Sequence, residues 1–107
     1  MSQLIKVVVT VPEASADMLR EAIGNANGGK IGNYTRCSFS VKGTGRFKPE
    51  DGANPAIGMV GKLEEVAEER IEITCEEDKL RNVIAAIRRV HPYEEPAIDI
   101  YPMLLED

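Results

Sequence analysis

The sequence predicts an α+β fold: a four-stranded antiparallel sheet with two helices on one face, in the ferredoxin-like β-α-β-β-α-β order. Three observations predict it. Apolar runs of strand period and helix period follow one another in that order. The 107 residues are read as one domain, 1–107, with no linker or low-complexity segment between the elements. Two βαβ halves with right-handed crossovers close into one split-βαβ sheet.

The elements follow in order. Leu4 to Val11 is β-branched and nearly all apolar, as expected of a central strand, and Pro12 ends it. Ala14 to Ala26 reads as a helix with an apolar stripe of Met18, Leu19, Ala22, Ile23 and Ala26. Glu13 or Ser15 is placed to cap its start, and Asn25-Ala26-Asn27-Gly28-Gly29 to close its end. Tyr34 to Lys42 alternates, which predicts a half-buried strand with Thr35, Cys37, Phe39 and Val41 inward. Gly43-Thr44-Gly45 is expected to bend or turn the chain, and Arg46 to Lys62 to form a turn-rich excursion. Glu68 to Cys75 alternates again, with Ile71, Ile73 and Cys75 inward. Glu76-Glu77-Asp78 opens a second helix whose stripe is Leu80, Val83, Ile84 and Ile87. That helix must stop near Val90–His91, because a residue before proline disfavours helical backbone. Ala97 to Leu104 closes the sheet, with Pro102 marking an edge or an end.

Composition narrows the function. A hydrophobic fraction of 43% and a charged fraction of 29% suit a globular protein. The net charge of −5 argues against general nucleic-acid binding. No apolar run approaches the roughly 20 residues of a membrane span. Met1-Ser2-Gln3 leads straight into strand pattern without a signal-peptide core, so a cytoplasmic location is expected. Cys37 and Cys75 are expected to be reduced and buried on strand faces. Gly28-Gly29-Lys30-Ile31-Gly32 follows a helix and precedes a strand, the reverse of a phosphate loop, so it reads as a helix end.

The densest chemistry lies in His91-Pro92-Tyr93-Glu94-Glu95-Pro96, which holds the only histidine. One reading makes His91 a proton carrier or divalent-metal ligand with Glu94 or Glu95 beside it. The other makes the segment a rigid corner: Pro92 stops the helix, Tyr93 packs its ring, and a glutamate bonds backbone amides. One histidine is few for zinc, which takes about three or four protein ligands. No Ser/His/Asp or Cys/His triad assembles. Glu68 and Arg70, two apart on one strand face, are expected to pair across the sheet or an interface.

Five motifs in order carry a family resemblance. They are Gly29-x-Ile31-Gly32-Asn33-Tyr34-x-x-Cys37-x-Phe39, Gly43-x-Gly45-x-Phe47-x-Pro49, Gly52-x-Asn54-Pro55-x-Ile57-Gly58, Glu68-x-Arg70-Ile71-Glu72 and His91-Pro92-Tyr93-Glu94-Glu95-Pro96-Ala97. From about Lys6 to Pro102 the chain resembles the PII/CutA-like domain inserted into YqfO-type, Nif-three-like proteins, a family also labelled GTP cyclohydrolase 1 type 2. It departs at Asn27-Gly28, where an Ala-Gly pair is common, and at Arg46, where threonine is usual.

The resemblance implies a non-enzymatic binding or regulatory module that assembles with itself, as a trimer or alternatively a dimer, and takes a small molecule or a protein partner. Lys30, Tyr34, Arg36, Arg46, Glu68, His91, Tyr93 and Glu94 are the expected ligand-contacting residues. No cofactor is expected, a divalent metal at His91 being the one to weigh, as in a CutA-type protein. An enzyme of cyclohydrolase or phosphoesterase type rests on the family label alone. The dinuclear metal site of full-length members is implied to lie in flanking domains, and this chain has one histidine.

Overall fold

The structure is a computed structural model that describes residues 3–104. Met1 and Ser2 of the N-terminal segment, and residues 105–107, lie outside the described residues. Four strands and two helices appear in the expected order: β1 (Leu4–Pro12), α1 (Ala16–Asn25), β2 (Phe39–Phe47), β3 (Glu64–Glu76), α2 (Leu80–Val90) and β4 (Ile98–Pro102). The sheet runs β2-β3-β1-β4, antiparallel throughout. This is the split-βαβ arrangement expected from the sequence.

Register explains which side chains are covered. Val7 and Val9 of β1 pair with Ile73 and Ile71 of β3, and with Ile100 and Ile98 of β4. Those positions face the helices. Leu19 and Ile23 of α1 and Val83 and Ile87 of α2 close on them, giving one apolar cluster with Ile5, Val11 and Cys75. The alternate positions, including Phe39, Val41, Glu68, Arg70, Glu72, Thr10 and Tyr101, face the side that no described helix covers.

Both helices start through a single 3-10 turn, Glu13–Ser15 and Glu77–Lys79. Neither Ser15 nor Glu13 therefore caps α1 with its side chain. Met18 falls off the α1 stripe and is 53% exposed. The end of α1 is as read: Gly28 N–H reaches the Ile23 carbonyl at 3.0 Å, and Asn27 adopts a φ of 70°. Gly29, at φ 85°, donates to the Thr74 carbonyl and accepts from Cys37 N–H, so close that a Cβ would strike the Cys37 backbone.

The second strand departs most from expectation. It begins at Phe39, not Tyr34, and runs straight through Gly43-Thr44-Gly45 to Phe47. Arg36, at φ 60°, breaks the extended run, and its guanidinium is held at the end of α1 by Asn25 Oδ1 at 2.6 Å. Cys37 is consequently half-buried and outside any strand, whereas Cys75 is buried as expected; both are free thiols. Phe39 and Val41 pair with Glu72 and Arg70, so they face the open side, 64% and 46% exposed. β3 begins at Glu64, four positions earlier than the alternation indicates, because the extended β2 gives it a partner that far. The β2–β3 ribbon elongates the molecule to 49 × 23 × 22 Å.

Candidate functional site

The open sheet face is not flat. Thr10 of β1, Val41 to Phe47 of β2, Glu68 and Arg70 of β3, the loop from Lys48 to Ile57, and Tyr93 to Ala97 surround a cleft of about 620 Å³. That size falls within the range of small-molecule sites, and its walls are mostly apolar, as such sites are.

The corner after α2 builds the cleft's inner wall. His91 takes extended backbone at the residue before Pro92, while its N–H still closes the last turn on the Ile87 carbonyl. Its ring then reaches back to β1. Nε2 lies 2.8 Å from the Thr10 carbonyl, and Nδ1 accepts from Tyr93 N–H at 3.1 Å. A carbonyl can only accept, so Nε2 carries the proton and Nδ1 offers the lone pair. Both nitrogens are occupied inside the chain, and the side chain is buried.

Tyr93 is the next link. Its ring stands edge-on to Phe47 at 5.5 Å and tilts against His91 at 5.1 Å. Its hydroxyl donates to Glu68 Oε2 at 2.8 Å. Burial first, then the Glu68 carboxylate, pushes the phenol well above its usual range. Glu94 carries the corner outward, accepting from Asn54 N–H at 2.8 Å and tying down the Lys48–Ile57 loop. Glu68 is 6% exposed at the floor, opposite Gly43 in register and against Gly45, where a Cβ would overlap its carboxylate.

The expected site residues divide into two groups. Glu68, Tyr93, Glu94 and Arg46 line the cleft, with His91 directly behind Tyr93. Arg46, however, pairs in register with Glu65, opposite in facing to Glu68, and its guanidinium meets Glu65 at 3.1 Å. Lys30, Tyr34 and Arg36 lie apart from the cleft. Tyr34 is 74% exposed in a tight turn bridged to Ile31, and Arg36 lines a smaller hollow of about 250 Å³ beside Gly24 and Cys37. Thr10, Phe47 and Arg70 line the cleft without having been expected as ligand contacts, and Asn54 joins through its bond to Glu94. Glu68 and Arg70 do not pair with each other: Arg70 bonds Glu72 at 3.1 Å and Glu68 takes the Tyr93 hydroxyl. A signal for Gly45 was present in the sequence, since a glycine two residues beyond Gly43 in a strand leaves room for a large neighbour.

These residues do not fit a resident divalent metal. His91 has no lone pair left for one, and among the described residues no three His, Cys, Asp or Glu groups converge. No described helix is long and apolar enough to cross a membrane.

Comparison with known proteins places this geometry. No family model matches the chain. It is 52% identical over 103 residues to a GTP cyclohydrolase 1 type 2 homolog of Halalkalibacterium halodurans, covering 96% of this chain and 28% of that protein. The homolog of the same name in Mycobacterium tuberculosis is 47% identical over 103 residues, covering 96% and 27%. Among solved structures, a Bacillus cereus protein related to NIF3 superposes with a TM-score of 0.83 at 45% identity, covering 95% of this chain and 26% of that one. The chain matches the Nif3-like family. It spans about a quarter of the length of these relatives. CutA1 of Oryza sativa shares the fold, with a TM-score of 0.70 at 21% identity over 99% of this chain and 84% of its own.

Proposed function

We propose that this Nif3-like chain is a non-enzymatic binding or regulatory module of PII/CutA type, which packs its open sheet face against further copies of itself and presents the cleft to a small ligand or partner loop. The observation that carries this reading is the open face. Phe39, Val41 and Tyr101 stand on it, each about half exposed or more, with no helix of the described residues over them. The far end of the β2–β3 ribbon adds exposed Met59, Val60 and Leu63. Apolar surface of that kind is what association buries. A trimer is the assembly that the PII and CutA resemblance implies. The cyclohydrolase name belongs to relatives about three and a half times as long.

Light scattering on a sizing column tests the reading. A trimer at micromolar concentration is the expected result, and a strict monomer there refutes self-association. Phe39→Glu, which places charge on the open face far from the core cluster, is expected to release monomers that keep the native circular dichroism.

A further inference from the structure

Charge is unevenly matched around the cleft. Three cations line it, and each already has a carboxylate: Arg46 has Glu65, Lys48 has Glu50 at 3.7 Å, and Arg70 has Glu72. The lining carboxylates Glu68, Glu94 and Glu95 have no cationic partner among the described residues. Glu68 matters most, because it is buried. One of its oxygens takes the Tyr93 hydroxyl, and the other has no hydrogen-bond donor. No side-chain oxygen among the described residues is both sealed from solvent and unpartnered, so this second oxygen opens onto the cleft it lines. A buried carboxylate without a counter-charge is strongly disfavoured.

Gly45 makes room for the carboxylate itself, since any side chain there would overlap it and push it from its place at the cleft floor. Tyr93 and, edge-on to it, Phe47 stand beside Glu68, and Pro55 and Ile57 add apolar surface elsewhere in the cleft. The lining carboxylates do not converge on one point, so a single carboxylate is a poor seat for a hard metal ion, which takes about six oxygen ligands. It is a good seat for an ammonium group, whose charge can meet the carboxylate while a ring face attracts it from the side.

We propose that the cleft binds an organic amine: a primary ammonium held by Glu68, carried on an apolar or aromatic body that packs against Phe47 and Tyr93. The proposal rests on the reading of this chain as a ligand-binding module and names the class of ligand.

Calorimetric titration of the full chain with phenethylamine and with hydrocinnamate tests it. The two probes share an apolar body and carry opposite charges. The expected result is one amine per chain, bound at least about tenfold more tightly than the carboxylate, since a charge-assisted bond contributes that much. Glu68→Gln, which keeps the acceptor for Tyr93, is expected to weaken the amine about tenfold, and Gly45→Ala to weaken it similarly. Equal or tighter binding of hydrocinnamate overturns the amine proposal and leaves the ligand-binding reading standing. Binding of neither probe overturns both for small molecules, while self-association is read separately by light scattering. Amine affinity unchanged in Glu68→Gln also overturns it, as does a change of oligomeric state in that variant without loss of amine affinity. The wild-type probe pair decides the sign of charge even where a variant fails to fold.

Discussion

His91 and Glu68 are buried to the same depth, 7% and 6% exposed, at either end of Tyr93, yet their surroundings differ in kind. Each ring nitrogen of His91 has a partner inside the chain, Thr10 on one side and Tyr93 on the other. Glu68 has the Tyr93 hydroxyl on one oxygen, no donor on the other and no cation in ion-pair contact among the described residues, Arg70 on the same face being taken by Glu72. A fully partnered buried group holds a fold together. A half-partnered buried charge works against it, and persists where binding needs it. The histidine, chemically the more conspicuous residue in the sequence, is thus the structural one.

The sharpest way to break this contrast is His91→Ala. It removes the ring that joins α2 to β1, and leaves the Thr10 carbonyl and the Tyr93 N–H without partners. The expected loss is about 2–4 kcal/mol in urea unfolding, combining a cavity with two unmade hydrogen bonds. A loss below about 1 kcal/mol would show that the corner stands without the imidazole.

Tyr93→Phe is expected to cost less, about 1–2 kcal/mol, because it deletes one hydrogen bond and leaves Glu68 with no donor at all. The same substitution made on a Glu68→Gln background is expected to cost measurably less than on the wild type. Equal costs in the two backgrounds would mean that the hydroxyl's charged acceptor contributes nothing.

Alkaline pH probes the same bond without mutation. Folding raises the Tyr93 phenol above its unfolded value of about 10. The folded protein therefore holds that proton more tightly than the unfolded chain, so the contribution is fully present below pH ~10 and is lost as pH rises above it. Stability measured from pH 8 upward is expected to fall beyond about 10, and Tyr93→Phe to flatten that fall. A slope identical in wild type and variant would place the titration elsewhere.

How much of this was legible depends on the physics that writes each feature. The helices and central strands were readable because their apolar periods are local: Leu80, Val83 and Ile87 share a face whatever else the chain does. β2 was misread for a non-local reason. Phe39 and Val41 alternate as an inward face does, but the register with Glu72 and Arg70 turns them to the open side. Gly43-Thr44-Gly45 carried turn chemistry, and only the partner strand keeps it extended. The motif around His91 was visible as a corner, since Pro92 acts on its immediate neighbours. The cleft was not, because Thr10, Phe47, Glu68 and Tyr93 meet only when four separate elements are assembled. Lys30 and Arg36 stood as ligand contacts through the resemblance, and the end of α1 takes Arg36 away from the cleft.

The smallest effect is the most discriminating. Glu68→Gln keeps the size of the side chain and the acceptor for the Tyr93 hydroxyl, and removes only the charge. If Glu68 were a structural partner like His91, neutralising it would destabilise the fold by weakening a charged hydrogen bond, on the order of 1 kcal/mol. If it is instead a buried charge lacking its counter-ion, the lost desolvation penalty offsets the weaker bond. Stability then stays within about 0.5 kcal/mol of wild type or rises. Urea unfolding of the two proteins side by side at neutral pH separates these outcomes, provided no amine is in the buffer. A primary-amine buffer would fill the proposed seat and stabilise only the wild type, by an amount that grows with its concentration. Repeating the pair of measurements in phosphate and in a primary-amine buffer therefore asks whether the Glu68 carboxylate waits for a cation.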